Sequence, residues 1–302
     1  MTDNIRGILL KVAAVSLFTV MMGLIKATAV EVPTGQQVFF RAFFSLLVVL
    51  GWLMARGDFF NVLRTANIFG HMWRGIAGAG AMSLRFFALG TLTFPEVAAL
   101  GFTTPLILTV LAALILGETV GAFRLTTVAL GFVGVLIVIW PTFDVSGDRN
   151  TLELIGVGAI LGSAALAALA QIFVRRLVAT EGTAQIVFYF SLLITLLSLL
   201  SLPFGWVLPS FEATMLLATA GFIGGVGQIF LTAAYRNAPA SVVAPFDYTS
   251  MLLALVIAYF WFAEIPTSWT VLGASVIICS GVMIIWREQR LGWRRNLVQS
   301  TH

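Results

Sequence analysis

Glu118 and Trp140 return 146 residues later as Glu264 and Trp286, and Gly75 and Gly78 return at the same offset as Gly221 and Gly224. Apolar segments match freely in leucine and alanine, but paired glutamates, tryptophans and glycines at one offset mark a duplication. Nearer the start of each half the offset is 149. It pairs Gly7 with Gly156, Lys26 with Arg175, Gln36 with Gln185 and Phe39 with Phe188. Three residues were therefore gained or lost before the third segment of a half, and the two copies are expected over 1–145 and 146–302.

The duplicated unit is a membrane unit. Hydrophobic residues make up 60% of the chain, charged residues 10%, and the mean hydropathy is +1.02, outside the range of water-soluble domains. Spans of roughly 20 apolar residues fall near 7–29, 34–54, 67–90, 94–115, 122–140, 152–174, 183–205, 211–235, 240–262 and 267–286. Seven of the eight tryptophans, Trp52, Trp73, Trp140, Trp206, Trp261, Trp269 and Trp286, fall near span ends, and Trp293 just outside one, as an interfacial belt requires. Five spans per half is an odd number, so the second copy enters the membrane from the opposite side. The expected fold is all-α integral membrane, ten transmembrane helices as two inverted five-helix repeats around a central cavity, an architecture that points to transport. The first apolar run carries no small-residue cleavage pattern and is expected to remain as the first helix.

Basic residues set the expected orientation. With the N-terminus cytoplasmic, inside segments hold Arg6, Lys11, Arg56, Arg64, Arg124, Arg175, Arg176, Arg236, Arg287, Arg290, Arg294 and Arg295, against Lys26 and Arg149 outside. Both termini are thus expected in the cytoplasm, in a cell inner membrane. The basic tail reads as a topogenic anchor, so the expected partners are the lipid bilayer and a small-molecule substrate, with no nucleic acid, and the chain is expected to act as a monomer.

The helix-end motifs Leu116-Gly117-Glu118 and Ala263-Glu264, with the segments 102–118 and 240–264 that they close, resemble the drug/metabolite transporter superfamily, EamA type, over essentially the whole chain. Within it the chain is similar to bacterial amino acid exporters. The resemblance implies ten helices around a cavity lined by both halves and alternating access to a solute.

Individual residues carry narrower expectations. Glu118 and Glu264 are placed to cap the helix that follows each of them, with gate sealing as an alternative. The glycines of RGIAGAGA (74–81) and AGFIGGVGQ (220–228) permit close helix approach or line a cavity. Gly78, Gly224, Pro105 and Pro245 are expected hinges. Each proline frees a carbonyl that protein or water must satisfy, and because Pro105 aligns with Met251 the two kinks are expected at different depths.

Charges within spans cost about 2.5–3.5 kcal/mol at the helix centre and are functional by default. Arg41 and Arg85 are expected in the outer half, facing either the interface or the cavity; Arg74 is expected to snorkel beside His71; Asp247 is too short to snorkel and is expected protonated, paired or wetted. Asp247 thus reads as binding a substrate ammonium or carrying a proton, with Arg85 or Arg41 holding a carboxylate. Met22, Met82, Ser83, Phe86, Phe102, Thr103, Gln171, Gln228, Tyr248 and Ser250 are expected to complete an apolar pocket, with Met22, Met82, Gln171 and Gln228 around its pseudo-symmetric centre. No cofactor or metal is expected: there are two histidines, His71 and His302, one cysteine, Cys279, and no phosphate-binding loop ending in Gly-Lys-Ser/Thr.

Overall fold

A computed structural model describes residues 3–57, 62–116, 122–143, 148–178, 180–238 and 240–299. Among them the chain is entirely helical: α1 (Asp3–Ala27), α2 (Thr34–Arg56), α3 (Ile68–Thr91), α4 (Phe94–Gly101), α5 (Thr103–Leu116), α6 (Ala122–Ile139), α7 (Asp148–Leu177), α8 (Thr183–Leu199), α9 (Phe211–Asn237), α10 (Ala240–Val243), α11 (Thr249–Phe262) and α12 (Ser268–Gln299). These twelve segments make ten spans, because α4 with α5 and α10 with α11 are spans four and nine, each in two pieces. Five segments are long and apolar enough to cross a bilayer, including Ile5–Ala27, Thr34–Arg56 and Phe211–Asn237, and four more are shorter apolar helices.

Local chemistry starts and stops the helices. The Asn67 side chain accepts from Gly70 N at 2.9 Å and opens α3, while Ser210 accepts from Ala213 N at 3.1 Å and opens α9. Gly57, at φ 69°, ends α2, and Ala263, at φ 52°, ends α11 in a left-handed conformation that costs a residue with a Cβ roughly 1 kcal/mol or more.

The halves are interleaved. The most extensive helix contacts all join one half to the other: α1 with α9, α3 with α7, α6 with α12, and α2 with both α8 and α9. The pairing obeys a two-fold rule in detail. Gly7 packs on Ala238 near the chain termini, and its counterpart Gly156 packs on Leu92, the counterpart of Ala238, at the opposite end of the bundle. Gly131 meets Ser280 while Gly134 meets Ile277, which is one contact and its own mirror image. An inverted repeat predicts contacts that recur at opposite ends, and these do.

The repeated glycines are helix seats. Gly75 receives Leu193 and Gly78 receives the Phe190 ring, both from α8; Gly221 receives Phe44 and Gly224 receives Arg41, both from α2. Gly78 and Gly224 lie in unbroken helices, so the chain interrupts itself elsewhere than at these expected hinges. Small residues there let helix backbones close up where lipid offers no hydrophobic drive for association.

Candidate functional site

Spans four and nine break at equivalent positions. The fourth passes from α4 to α5 at Phe102, and the ninth passes through a 3-10 turn, Ala244–Tyr248, before α11. Phe102 and Tyr248 are repeat partners, and their rings stand 5.1 Å apart at 50°, so the pseudo-two-fold axis runs between two aromatic side chains that each face their own counterpart.

The same hydroxyl device repairs both breaks. Thr104 Oγ1 donates to Gly101 O at 2.9 Å, and its repeat partner Ser250 donates from Oγ to Asp247 O, the partner carbonyl, at 2.6 Å. Backbone at membrane depth is tolerated in this form because its polar groups are met inside the protein. The prolines act differently from the expectation. Pro105 sits in the first turn of α5, where a missing N–H costs little, and Pro245 lies inside the 3-10 turn. The breaks fall upstream of one proline and downstream of the other. They therefore share one depth, although the prolines do not align.

Charge surrounds the breaks unequally. The Arg85 guanidinium of α3 lies against the Gly101 backbone and, among the described residues, forms no ion pair. On the other break Asp247 Oδ1 meets Lys11 Nζ at 2.7 Å, and Lys11 also donates to Tyr235 Oη at 3.2 Å. Lys11 is 2% exposed whereas the Asp247 side chain is 40% exposed, so the lysine is the desolvated partner and the carboxylate is the one open to a solute. Of the three states expected for Asp247, the structure shows the paired one. Lys11, read from sequence only as a topogenic charge, supplies the pair. Gly281 of α12 packs on the Tyr248 hydroxyl.

The other expected site residues differ in burial. Phe86 and Thr103 are buried, Thr103 with its hydroxyl unpartnered beside the fourth-span break. Met22 and Met82 pack against the main core, Gln228 is half-buried, and Gln171 is exposed. Ser83 faces a mainly apolar cleft of about 240 Å³ between α2, α3 and α8, with Gly35, Val38, Ala79 and Ser198. No charged side chain lines that cleft, and it lies away from the breaks.

The expectation that Arg74 snorkels is overturned. It is 4% exposed, its guanidinium lies 3.8 Å over the Phe190 ring, and its Nη1 makes one long contact, 3.4 Å, to Ile186 O. The snorkelling argument assumed that a long side chain points along its helix toward the nearer interface. Here the aromatic face on α8 holds it inside. Arg41 is likewise turned inward, 3% exposed against Gly224, rather than reaching the outer interface.

Carboxylates at span ends tie the halves together. Glu264 Oε1 meets Lys26 Nζ at 2.9 Å, its Oε2 accepts from Phe94 N at 2.6 Å, and Lys26 also donates to Leu92 O at 2.7 Å. Glu264 therefore caps α4 of the other half and not the helix that follows it in sequence. Its counterpart Glu118 lies outside the described residues. Sequence reading missed a second set. Glu181, before α8, accepts from Thr65 Oγ1 at 2.6 Å, Ala66 N at 2.8 Å and Asn67 N at 3.2 Å at the opening of α3. Glu31, before α2, accepts from Ser210 N and Ser210 Oγ at the opening of α9. The two glutamates match at the 149 offset once a one-residue slip is allowed, a signal that strict alignment hides. Burial pushes the Glu181 carboxyl up, but hydrogen bonds from Thr65, Ala66 and Asn67, with the charge of His71, outweigh it and hold the group below the usual carboxylate range.

Comparison with known proteins bears on the whole arrangement. The model of the EamA-like transporter family matches residues 5–140 and again 154–286. An S-adenosylmethionine uptake transporter of Rickettsia felis is 28% identical over 258 residues, 85% of each chain. A pseudopaline exporter of Pseudomonas aeruginosa is 27% identical over 282 residues, 92% of this chain and 95% of that one. A riboflavin transporter of Rhizobium johnstonii is 28% identical over 259 residues, covering 85% and 83%. A solved crystal structure superimposes with a TM-score of 0.67 over 94% of this chain and 98% of its own, at 18% identity, which speaks to the fold alone. The three relatives are named for three different solutes, one for uptake and another for export. Their shared property is transport.

Proposed function

The chain belongs to the EamA-like transporter family, and from that premise we propose that it exports small amphipathic solutes, amino acids with aromatic or other hydrophobic side chains foremost, across the bacterial inner membrane. The observation that carries this reading is the facing pair Phe102 and Tyr248, rings 5.1 Å apart and tilted by 50°, at two equivalent helix breaks on the pseudo-two-fold axis. Discontinuous helices at a repeat interface are where inverted-repeat transporters hold solutes, and rocking one half against the other exposes such a site to each side in turn. Both termini lie in the cytoplasm, on the count of basic residues in the segments between spans.

The breaks offer a zwitterion two opposite charges. Arg85 presents an unpaired guanidinium for a carboxylate, and the exposed edge of Asp247 accepts an ammonium in exchange for Lys11. Phe102 and Tyr248 provide faces for an apolar side chain. A second reading, a larger vitamin-like or nucleoside-bearing metabolite, is favoured by the riboflavin and S-adenosylmethionine relatives.

Counterflow of labelled L-phenylalanine into proteoliposomes, with a competitor panel, separates the two. Competition by leucine, tryptophan and tyrosine is expected. Competition by riboflavin or S-adenosylmethionine alone would transfer the assignment to the second reading. Normal transport by Asp247→Asn at every pH tested would remove Asp247 from the solute's path.

A further inference from the structure

Arg41 and Arg74 are both less than a twentieth exposed, yet Arg41 Nε, Arg41 Nη1 and Arg74 Nε meet no hydrogen-bond acceptor. No carboxylate among the described residues pairs with either, and α2, which carries Arg41, packs on α8, whose Phe190 ring lies against Arg74. Two like charges with unused donors in a bundle core contradict the rule that buried charge is paired.

The repeat shows that this is local chemistry and not scaffold. Arg41 seats against Gly224 where its counterpart Phe190 seats against Gly78, and the counterpart of Arg74 is Ala220. Each copy of the contact carries one guanidinium, Arg74 over Phe190 in the first and Arg41 against Gly224 in the second, and at each of these positions the other copy does without the charge. Buried hydroxyls without partners lie on the helix that carries Arg41 and on the helix whose Phe190 ring meets Arg74. Ser45 is one turn from Arg41 on α2, and Ser191 follows Phe190 on α8. The Arg74 guanidinium lies over the Phe190 ring, and its unpartnered Nε is a donor left for a planar or tetrahedral oxyanion.

We infer that Arg41 and Arg74 together form an oxyanion site, taking the carboxylate or phosphate group of a transported solute at the meeting of α2, α3, α8 and α9. This site is separate from the Arg85 position and deepens the proposed function, on which it rests, by requiring an anionic group in the solute. It accounts for charge asymmetry in an otherwise mirrored contact.

The test uses the full chain in detergent at constant ionic strength. Thermal unfolding is followed with 3-phenylpropionate, which has the carboxylate alone, with phenethylamine, which has the ammonium alone, and with inorganic phosphate. A ligand that binds the folded state raises the melting temperature by mass action. An upward shift with 3-phenylpropionate or phosphate that depends on Arg41 and Arg74 is expected, whereas any shift with phenethylamine, which reads the Asp247 edge, should be the same in the wild type and the variants; which anion acts distinguishes a carboxylate from a phosphate solute. R41Q and R74Q are each expected to lose most of that shift, while ligand-free melting stays level or rises as a buried unpaired charge is removed. Where a glutamine variant does not purify, R41K or R74K is read instead, and a reduced shift is expected. An anion shift unchanged in the variants, stabilisation by phenethylamine alone, or no anion shift in the wild type overturns the site.

Transport is scored separately. An arginine-dependent shift without saturable uptake of the stabilising anion keeps the site and removes the transport of that class. Uptake of solutes lacking any anionic group, equal in wild type and both variants, keeps transport and removes the site.

Discussion

The contact of α8 on α3 and the contact of α2 on α9 are one structure built twice. In the first, Gly75 and Gly78 receive Leu193 and Phe190; in the second, Gly221 and Gly224 receive Phe44 and Arg41. Three of the four pairs are glycine against hydrocarbon, and the fourth is glycine against a guanidinium. The difference teaches how an inverted repeat divides its labour. At these contacts the residues that let helices approach recur in both copies, while Arg41 and Arg74 have the uncharged counterparts Phe190 and Ala220, an asymmetry that fits the oxyanion site proposed above.

Perturbing the two contacts sharpens that division. The largest effect is expected at the breaks. Asp247→Asn leaves Lys11 buried without its counter-charge, and loss of a buried partner costs on the order of 3–5 kcal/mol, toward the lower figure here because Asp247 itself is partly exposed. Thermal unfolding should show that loss, and a Lys11→Met/Asp247→Asn double variant should recover most of it; a double variant no better than the single would separate the pair from stability.

Alanine at the glycine seats comes next. Gly78→Ala drives a Cβ into the rigid Phe190 ring and is expected to cost roughly 1–3 kcal/mol. Gly224→Ala meets the Met21 sulfur at 2.7 Å and Arg41 Nε at 3.2 Å, the ends of flexible side chains, and should cost less. Equal losses in an unfolding titration would show that Arg41 is held as firmly as Phe190, against the division drawn above.

The span-end carboxylates give a pH signature. Glu181 is held below the ordinary carboxylate range, so its contribution is fully present above the unfolded-state value, near 4.3 for a free glutamate, and is lost as pH falls through its lower folded value. Melting temperature should therefore fall on acidification below about pH 4–5. Glu181→Gln should be less stable at neutral pH and less sensitive to acid. The smallest effect is expected at Ala263. Its φ of 52° suits glycine, and Gly117 stands at the equivalent place in the first half, so Ala263→Gly should be neutral or stabilising by up to about 1 kcal/mol.

Much of the fold was legible because glutamate, tryptophan and glycine are rare enough in apolar helices for a repeated offset to be informative. The ten spans followed from length and hydropathy, and the inversion from an odd span count. The breaks at Phe102 and Tyr248 were hidden, since the polar clusters at them, Thr103 with Thr104 and Asp247 through Ser250, are short interruptions of long apolar runs and the prolines nearby lie on opposite sides of the breaks. The burial of Arg74 was hidden because sequence gives a residue's depth along its helix but not the direction its side chain takes. Lys11 was misread for a related reason: near a helix end, a lysine that anchors topology and one that pairs across the bundle look alike in one dimension. The clamps at Glu31 and Glu181 escaped through a single residue of slippage.

The central claim is that the pair of breaks on the pseudo-axis forms a site served alternately from two sides. Counterflow tests it most directly: proteoliposomes loaded with unlabelled L-phenylalanine are diluted into labelled solute, with wild type compared with Phe102→Ala and Tyr248→Ala. The expected result is a saturable, trans-stimulated overshoot in the wild type that falls at least tenfold in each variant while both keep their melting temperatures within a few degrees. Flux that rises linearly with concentration, without trans-stimulation, or an overshoot unchanged in both variants, would contradict it.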